Sequence, residues 1–187
     1  MPSGRKARDL ELLDALEACD GVAFEGTVWR AVREGRDPIL GHPSGGRWDP
    51  GLFDVVYTAL DRDGAIAETS FHLSRQPVFP SKLRFAVYEL RVRVTRILRF
   101  EKEEALVPLG VDVARYREVL YSRTQAIGDA ADFLGFDGII APSARWPCLN
   151  LALFTAGIAP EDIAIQGVEP VDVLKWRSTM GRPRRKR

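Results

Sequence analysis

The feature that most constrains the fold is a long alternation of apolar and polar side chains between residues 83 and 100. The alternating positions are, in order, Ala86, Tyr88, Glu89, Leu90, Arg91, Val92, Arg93, Val94 and Thr95. A period of two puts successive side chains on opposite faces of a β-strand. The pattern therefore predicts one long strand with a buried face and a solvated face.

The rest of the chain divides into shorter segments of different periodicity. Helices are predicted over residues 6–19, 64–75, 112–120 and 124–134, and strands over 25–32, 54–60, 137–141, 150–154 and, at a sheet edge, 163–168. Gly21 is expected to end the first helix, and Asp61 or Asp63 to cap the second. Loops are predicted over residues 34–51, which are rich in Gly and Pro, and over 101–111. Because strands and helices do not alternate strictly, the predicted class is α+β.

Composition and charge narrow the class of protein. Of the 187 residues, 45% are apolar and 28% charged, which is typical of a soluble globular domain. A single domain is expected over residues 1–176, with a core at about 27–154, followed by a basic, disordered tail over 177–187. The net charge of +1 favours neither nucleic acid nor a membrane surface as a partner. Two lone cysteines and the lack of an apolar leader predict a cytoplasmic protein.

Several common chemistries have no support in the sequence. His42 and His72 lie in different predicted elements, and with two scattered cysteines they give no zinc-ligand spacing, so no metal is expected. Neither a phosphate-binding glycine loop nor a dinucleotide-binding glycine turn is present. Ser143 is flanked by Pro142 and Ala144 instead of the glycines of a nucleophile elbow.

What remains is a set of polar side chains at the edges of apolar segments: Arg30, Arg47, Tyr57, Glu68, Ser143 and Asn150. Each alone is explained by a structural role, such as a surface arginine, a core tyrosine, a solvated helix residue or a turn residue. Together they suit one kind of ligand. Arginine forks match pyrophosphate oxygens, a tyrosine ring packs on a base or a nicotinamide, and a carboxylate stabilises an oxocarbenium-like centre.

Two groups of short motifs resemble the signatures of the RES-domain family, which is named for an arginine, a glutamate and a serine. They are residues 45–51 (GGRWDPG), 57–59 (YTA) and 67–68 (AE), and then 127–129 (IGD), 134–144 (LGFDGIIAPSA) and 150–154 (NLALF). The resemblance covers about residues 27–154. Asp49 departs from it, since the family usually has asparagine there; the added charge either weakens NAD binding or orients Arg47.

The resemblance implies a fold, a substrate and a partner. The implied fold is similar to that of ADP-ribosyltransferases, with a split mixed β-sheet and flanking helices around an NAD cleft. Family members are toxins of toxin–antitoxin pairs, and an antitoxin with an Xre-like helix-turn-helix domain covers the active site. The implied ligands of NAD are Arg30, Arg47, Tyr57, Ser143 and Asn150, and the implied catalytic residues are Glu68 and Arg47.

The expected reaction is dissociative cleavage of the nicotinamide–ribose bond of NAD, with Glu68 near the developing cation. The sequence leaves the acceptor of ADP-ribose open between water and phosphate. The alternative is a mono-ADP-ribosyltransferase that modifies a host protein, such as a nucleotide-biosynthesis enzyme. A second alternative is a non-enzymatic module that binds nucleotides or nucleic acid, and its only support is the basic tail.

Overall fold

Six strands and four α-helices make up the fold of the computed structural model, which describes residues 7–80 and 82–180. In chain order they are α1 (Leu10–Glu17), β1 (Val22–Arg33), β2 (Val55–Ala59), α2 (Arg62–Ser74), β3 (Phe85–Arg99), α3 (Ser122–Phe133), β4 (Gly138–Pro142), β5 (Leu149–Phe154), β6 (Ile163–Val171) and α4 (Val173–Met180). The strands form one mixed sheet with helices packed around it. The predicted α+β class is confirmed.

The predicted alternating strand is β3, and it lies at the centre of the sheet. Along one edge it pairs antiparallel with β1 over nearly its whole length. Along the other edge, its first half pairs antiparallel with β6 and its last residues pair parallel with β4. Leu90, Val92 and Val94 are buried while Arg91 and Arg93 are exposed, so the alternation is confirmed.

The strand pairings connect five strands in a closed circuit. β1 meets β2 at Trp29 opposite Ala59, β2 pairs with β5, β5 with β4, β4 with β3, and β3 again with β1. An apolar cluster inside this circuit receives side chains from all five strands, including Val28, Val56, Leu90, Ile140 and Leu151. Burial of such side chains is the main favourable term in folding. The closed sheet is therefore the rigid frame of the molecule.

The outer face of the sheet is covered by α1 and α3, which share a second apolar cluster with Trp48. Gly128 in α3 makes the contact with the loop before β2 possible. A Cβ atom at this position would lie 1.7 Å from the carbonyl oxygen of Trp48. Only glycine fits this close approach of two backbones. On the other side of the molecule, α2 packs against β1 and carries α4 on its surface.

The predicted helix over residues 112–120 is wrong. Only one 3-10 turn forms there, at Val113–Arg115, with Asp112 accepting a hydrogen bond from the amide of Ala114. The side chains of Val119 and Leu120 are exposed, so a longer helix would have no apolar face to bury. Tyr116 is buried instead, and its hydroxyl donates to the carbonyl oxygen of Pro142 at 2.9 Å.

Other boundaries differ for local reasons. The first helix begins at Leu10 because the side chain of Asp9 accepts a hydrogen bond from the amide of Leu12, and it ends before Gly21 is reached. Asp61, one of the two predicted caps, does cap α2. The predicted loop over residues 101–111 contains a 3-10 helix, Glu103–Leu109.

The structure describes only the first part of the predicted tail over 177–187. Residues 177–180 are the last turn of α4, and 181–187 lie outside the described residues. The division into a domain over 1–176 and a tail stays a prediction. Within the described ranges, no helix has the length and apolar character needed to cross a membrane.

Candidate active site

A cleft of about 580 Å³ opens between β1, the loop before β2, helix α2 and the turn that follows β4. Five of the six predicted site residues line it, namely Arg30, Arg47, Tyr57, Glu68 and Asn150. The sixth, Ser143, is buried and contacts Glu68 directly. These residues are distant in sequence, and the closed circuit of strands brings them together.

The carboxylate of Glu68 is held from two sides. Its Oε1 accepts hydrogen bonds from the hydroxyl of Ser143 at 2.8 Å and from the side-chain amide of Asn150 at 2.9 Å. The Ser143 hydroxyl also accepts from the backbone amides of Arg145 and Trp146, at 3.1 and 3.2 Å, so its own proton is directed to Glu68. Among the described residues no hydrogen-bond donor reaches Oε2, which leaves that oxygen for a ligand.

Two tyrosine rings hold the guanidinium of Arg47. Its central carbon lies 4.4 Å from the ring centroid of Tyr116 and 4.7 Å from that of Tyr121. Stacking of this kind fixes the plane of the guanidinium without using its N–H groups. Within residues 7–80 and 82–180, the Arg47 side chain donates no hydrogen bond to the protein. Its donors are therefore available to an anion in the cleft.

The loop that carries Arg47 is organised by Asp49, which is fully buried. Its carboxylate accepts six hydrogen bonds, from the amides of Ser44, Gly45, Gly46 and Gly51 and from the hydroxyls of Ser44 and Tyr57. Burial opposes the ionisation of Asp49, but these hydrogen bonds outweigh it and hold the pKa of the carboxyl below its usual value. The negative charge at Asp49 thus orders the whole loop.

Tyr57 is fixed by the same loop. Its hydroxyl donates to Asp49 at 2.8 Å and accepts from the amide of Trp48 at 2.9 Å. Burial and the charge of Asp49 raise the pKa of this hydroxyl far above its ordinary value, so it remains protonated. Gly46 lies against the ring, where a Cβ would approach ring atoms to 2.8 Å. Since the hydroxyl is used internally, only the ring of Tyr57 is free to contact a ligand.

Arg30 is tied to the first part of the loop. Its Nη1 donates to the carbonyl oxygen of Pro38 at 2.7 Å and to that of Leu40 at 3.4 Å. Burial lowers the pKa of this arginine, and the charge of Asp37 opposes that effect. An arginine remains charged at neutral pH in any case. Arg30 therefore supplies the cleft with a second positive charge at a fixed position.

Three residues of the site were not found by sequence reasoning. Tyr116 belongs to the segment predicted as a helix and Tyr121 follows it directly, so nothing in the pattern placed them against Arg47. Arg145 also lines the cleft, and its guanidinium stacks on Phe71 with 3.4 Å between its central carbon and the ring centroid. Its place two residues after Ser143 was the one available signal. Across the described residues, no group of three or more His, Cys, Asp or Glu side chains is arranged to hold a metal ion.

Comparison with known proteins gives three related matches. The RES domain family model matches residues 27–180. Curated proteins named NAD(+) phosphorylase MbcT, from Mycobacterium bovis and from Mycobacterium tuberculosis, are 27% identical over 145 residues, which is 74% of this chain and 78% of theirs. The match to the family model extends beyond residue 154, where the sequence motifs end, to the end of α4.

The fold is also similar to a solved structure. A chain in the crystal structure of the M. tuberculosis MbcT–MbcA toxin–antitoxin complex superposes with a TM-score of 0.81 and 20% sequence identity. The superposition covers 92% of this chain and 98% of that one. The arrangement of the sheet and its helices is therefore shared over almost the whole length.

Proposed function

This chain belongs to the RES domain family, and from that premise we propose that it is a toxin that consumes NAD. It cleaves the nicotinamide–ribose bond and transfers ADP-ribose to inorganic phosphate. The relatives named NAD(+) phosphorylase support both the substrate and the choice of phosphate over water. The cleft is the ADP-ribosyltransferase-like NAD site that the sequence motifs implied.

The observation that carries the proposal is the fixed carboxylate of Glu68 in a cleft with two ordered arginines. Cleavage of the glycosidic bond releases neutral nicotinamide and leaves positive charge on the ribose. A carboxylate already held by Ser143 and Asn150 stabilises that charge without having to reorient during the reaction. Its Oε2, which accepts no hydrogen bond from the described residues, is the oxygen that faces the ribose.

Arg47 and Arg30 bind the pyrophosphate part of NAD. Arg47 lies against two tyrosine rings and donates no hydrogen bond to the described part of the protein, and it binds the pyrophosphate through its planar fork. Arg30 adds a second positive charge to the lining of the cleft. The ring of Tyr57 packs on the nicotinamide or its ribose. A cleft of about 580 Å³ lies within the range of volumes usual for small-ligand sites, roughly 300–1,000 Å³.

We also propose the partner. A toxin that destroys NAD requires an inhibitor in the cell that makes it, and the related solved structure is of a toxin–antitoxin complex. The proposed partner is a cognate antitoxin with an Xre-like helix-turn-helix domain that covers the cleft. The toxin acts in the cytoplasm, where its substrate is.

The test is to incubate the purified protein with NAD, with and without inorganic phosphate, and to separate the products by chromatography. The expected products are nicotinamide and ADP-ribose 1″-phosphate, formed only when phosphate is present. Glu68→Gln keeps the acceptor for Ser143 and Asn150 but removes the charge, so it is the matched inactive control. Free ADP-ribose as the main product would identify a hydrolase. Label from NAD retained on protein, without soluble products, would identify a protein-directed transferase.

A further inference from the structure

Arg145 separates the cleft from a second, smaller cavity. It lines both spaces, and the second has a volume of about 440 Å³. The residue lies in the turn between β4 and β5, and its backbone amide donates to the Ser143 hydroxyl that holds Glu68. Arg145 is therefore linked through Ser143 to Glu68. Arg47, in contrast, lies in the loop before β2, and Arg30 donates a hydrogen bond to that loop.

The guanidinium of Arg145 is only partly satisfied. Nη1 donates to the carbonyl oxygen of Arg117 at 2.6 Å, and the plane of the group lies on the ring of Phe71. Nη2 is buried and has no hydrogen-bond partner, the one such side-chain atom among the described residues. None of the ion pairs formed within those residues includes Arg145.

An arrangement of this kind is costly unless a ligand completes it. A buried charged donor without an acceptor costs more free energy than the loss of an ordinary hydrogen bond. A positive charge beside the ribose also opposes the cation that forms there during cleavage. Both costs disappear when an anion occupies the place next to Nη2.

We propose that Arg145 binds the inorganic phosphate that accepts ADP-ribose. This inference rests on the proposed function, because it assigns the second substrate of the same site. Phe71 and the Arg117 carbonyl hold the guanidinium where the residue lines both cavities, and Nη2 keeps its hydrogen-bonding capacity for phosphate oxygens. Pyrophosphate of NAD is bound by Arg47 and Arg30, and phosphate by Arg145 beside Glu68.

The chemistry of the step balances without a further reactant. One oxygen of hydrogen phosphate forms a bond to C1″ of the ribose as the bond from C1″ to the nicotinamide nitrogen breaks. The electron pair of the broken bond leaves with nicotinamide, which becomes neutral, and the phosphate keeps its proton in the product. Phosphate on Arg145 cancels the positive charge near the ribose, so cleavage is fast only when phosphate is bound.

The test compares Arg145→Gln with a matched control, Arg96→Gln. Arg96 lies away from the cleft and makes the same two kinds of contact. Its central guanidinium carbon lies 4.0 Å from the ring centroid of Phe136, and its Nη1 donates to the carbonyl oxygen of Leu134 at 2.6 Å. Initial rates of nicotinamide release are measured while phosphate is varied at saturating NAD, and then while NAD is varied at saturating phosphate. We expect Arg145→Gln to raise the KM for phosphate at least about tenfold and the KM for NAD less than about twofold. Arg96→Gln changes neither constant.

Two further measurements keep the inference open to refutation. If Arg145→Gln does not fold, Arg145→Lys, which keeps the charge but loses the planar fork, has to raise the KM for phosphate severalfold. An unchanged phosphate KM, or an increase confined to the KM for NAD, overturns the inference. If the unmodified protein releases no nicotinamide at all, the proposed function has failed. Titration of phosphate into the unmodified and the Arg145→Gln proteins then still decides whether Arg145 binds phosphate, and equal affinities overturn the inference.

Discussion

Replacing Asp49 by asparagine should destabilise this chain. The carboxylate accepts three amide hydrogen bonds on Oδ1, from Ser44, Gly45 and Gly51. On Oδ2 it accepts one amide hydrogen bond, from Gly46, and two hydroxyl hydrogen bonds. The asparagine amide group takes the Oδ2 position, because there it opposes one backbone donor instead of three. The hydroxyls can rotate to accept from it, but the amide of Gly46 cannot.

The cost follows from that one unpaired donor and from the loss of charge in the other bonds. An unsatisfied buried donor costs about 1–3 kcal/mol, and hydrogen bonds to an ionised acceptor are roughly twice as strong as neutral ones. We expect the free energy of unfolding to fall by about 2 kcal/mol, which lowers the Tm by about 4–8 °C for a chain of this length. Urea unfolding measures the change in the free energy of unfolding, and thermal unfolding measures the change in Tm, both at neutral pH. Ser44→Ala, which removes one hydroxyl donor and leaves the charge and the other five hydrogen bonds in place, is the control and should cost less than Asp49→Asn.

The same substitution has a pH signature. The folded-state pKa of Asp49 is lowered, so its stabilising contribution is complete above the unfolded-state pKa of about 3.9. That contribution is lost as the pH falls from there through the folded-state pKa. The difference in Tm between the two proteins should therefore be full at pH 7 and shrink below about pH 4. A Tm for Asp49→Asn equal to or above that of the parent at pH 7 would refute the reasoning.

Four further substitutions or truncations test the site and its frame. Glu68→Gln should reduce the rate of nicotinamide release on the order of a hundredfold or more. The Tm should stay within about 2 °C of the parent, since the uncharged side chain keeps its hydrogen bonds. A rate equal to that of the parent would show that Glu68 takes no part in the mechanism. Arg47→Lys should raise the KM for NAD about tenfold because an ammonium cannot stack as a plane between two tyrosines, and an unchanged KM would assign pyrophosphate binding elsewhere. Gly128→Ala should lower the stability by about 3 kcal/mol, measured by urea unfolding, since the added methyl group meets the Trp48 carbonyl. Removal of residues 181–187, which lie beyond the family match, should leave the rates of nicotinamide release unchanged, and a fall in rate at constant Tm would contradict that.

The sequence predicted the elements better than it predicted their contacts. The alternation through Leu90 and Val92 was sufficient to locate β3, and the polar residues and motifs singled out in the sequence include five of the residues that line the cleft. Closure of the sheet could not be predicted, because the pairing of β1 with both β2 and β3 depends on side-chain packing between segments distant in the chain. The stacking of Tyr116 on Arg47 was missed for the same reason.

Asp49 shows a different limit. In the sequence its charge had two interpretations, to weaken the binding of NAD or to orient Arg47. The structure shows that its carboxylate binds the loop backbone and Tyr57, and that no hydrogen bond runs from Arg47 to it within the described residues. A motif identifies a residue with its neighbours in the chain, whereas its role depends on donors that only the folded loop places around it.

The closed circuit of strands has a consequence for the time at which the protein becomes active during its synthesis. Glu68 and Arg47 are synthesised early. Ser143, in the turn after β4, and Asn150, in β5, orient Glu68 and are synthesised with the strands that complete the circuit. Chains grow at about 5–20 residues per second, and domains fold as units. The nascent chain therefore carries its arginines and its glutamate for several seconds without a competent site. The site is therefore complete only after β4 and β5 have been made. Under the proposed function, that delay is the interval in which a newly made antitoxin can reach the chain.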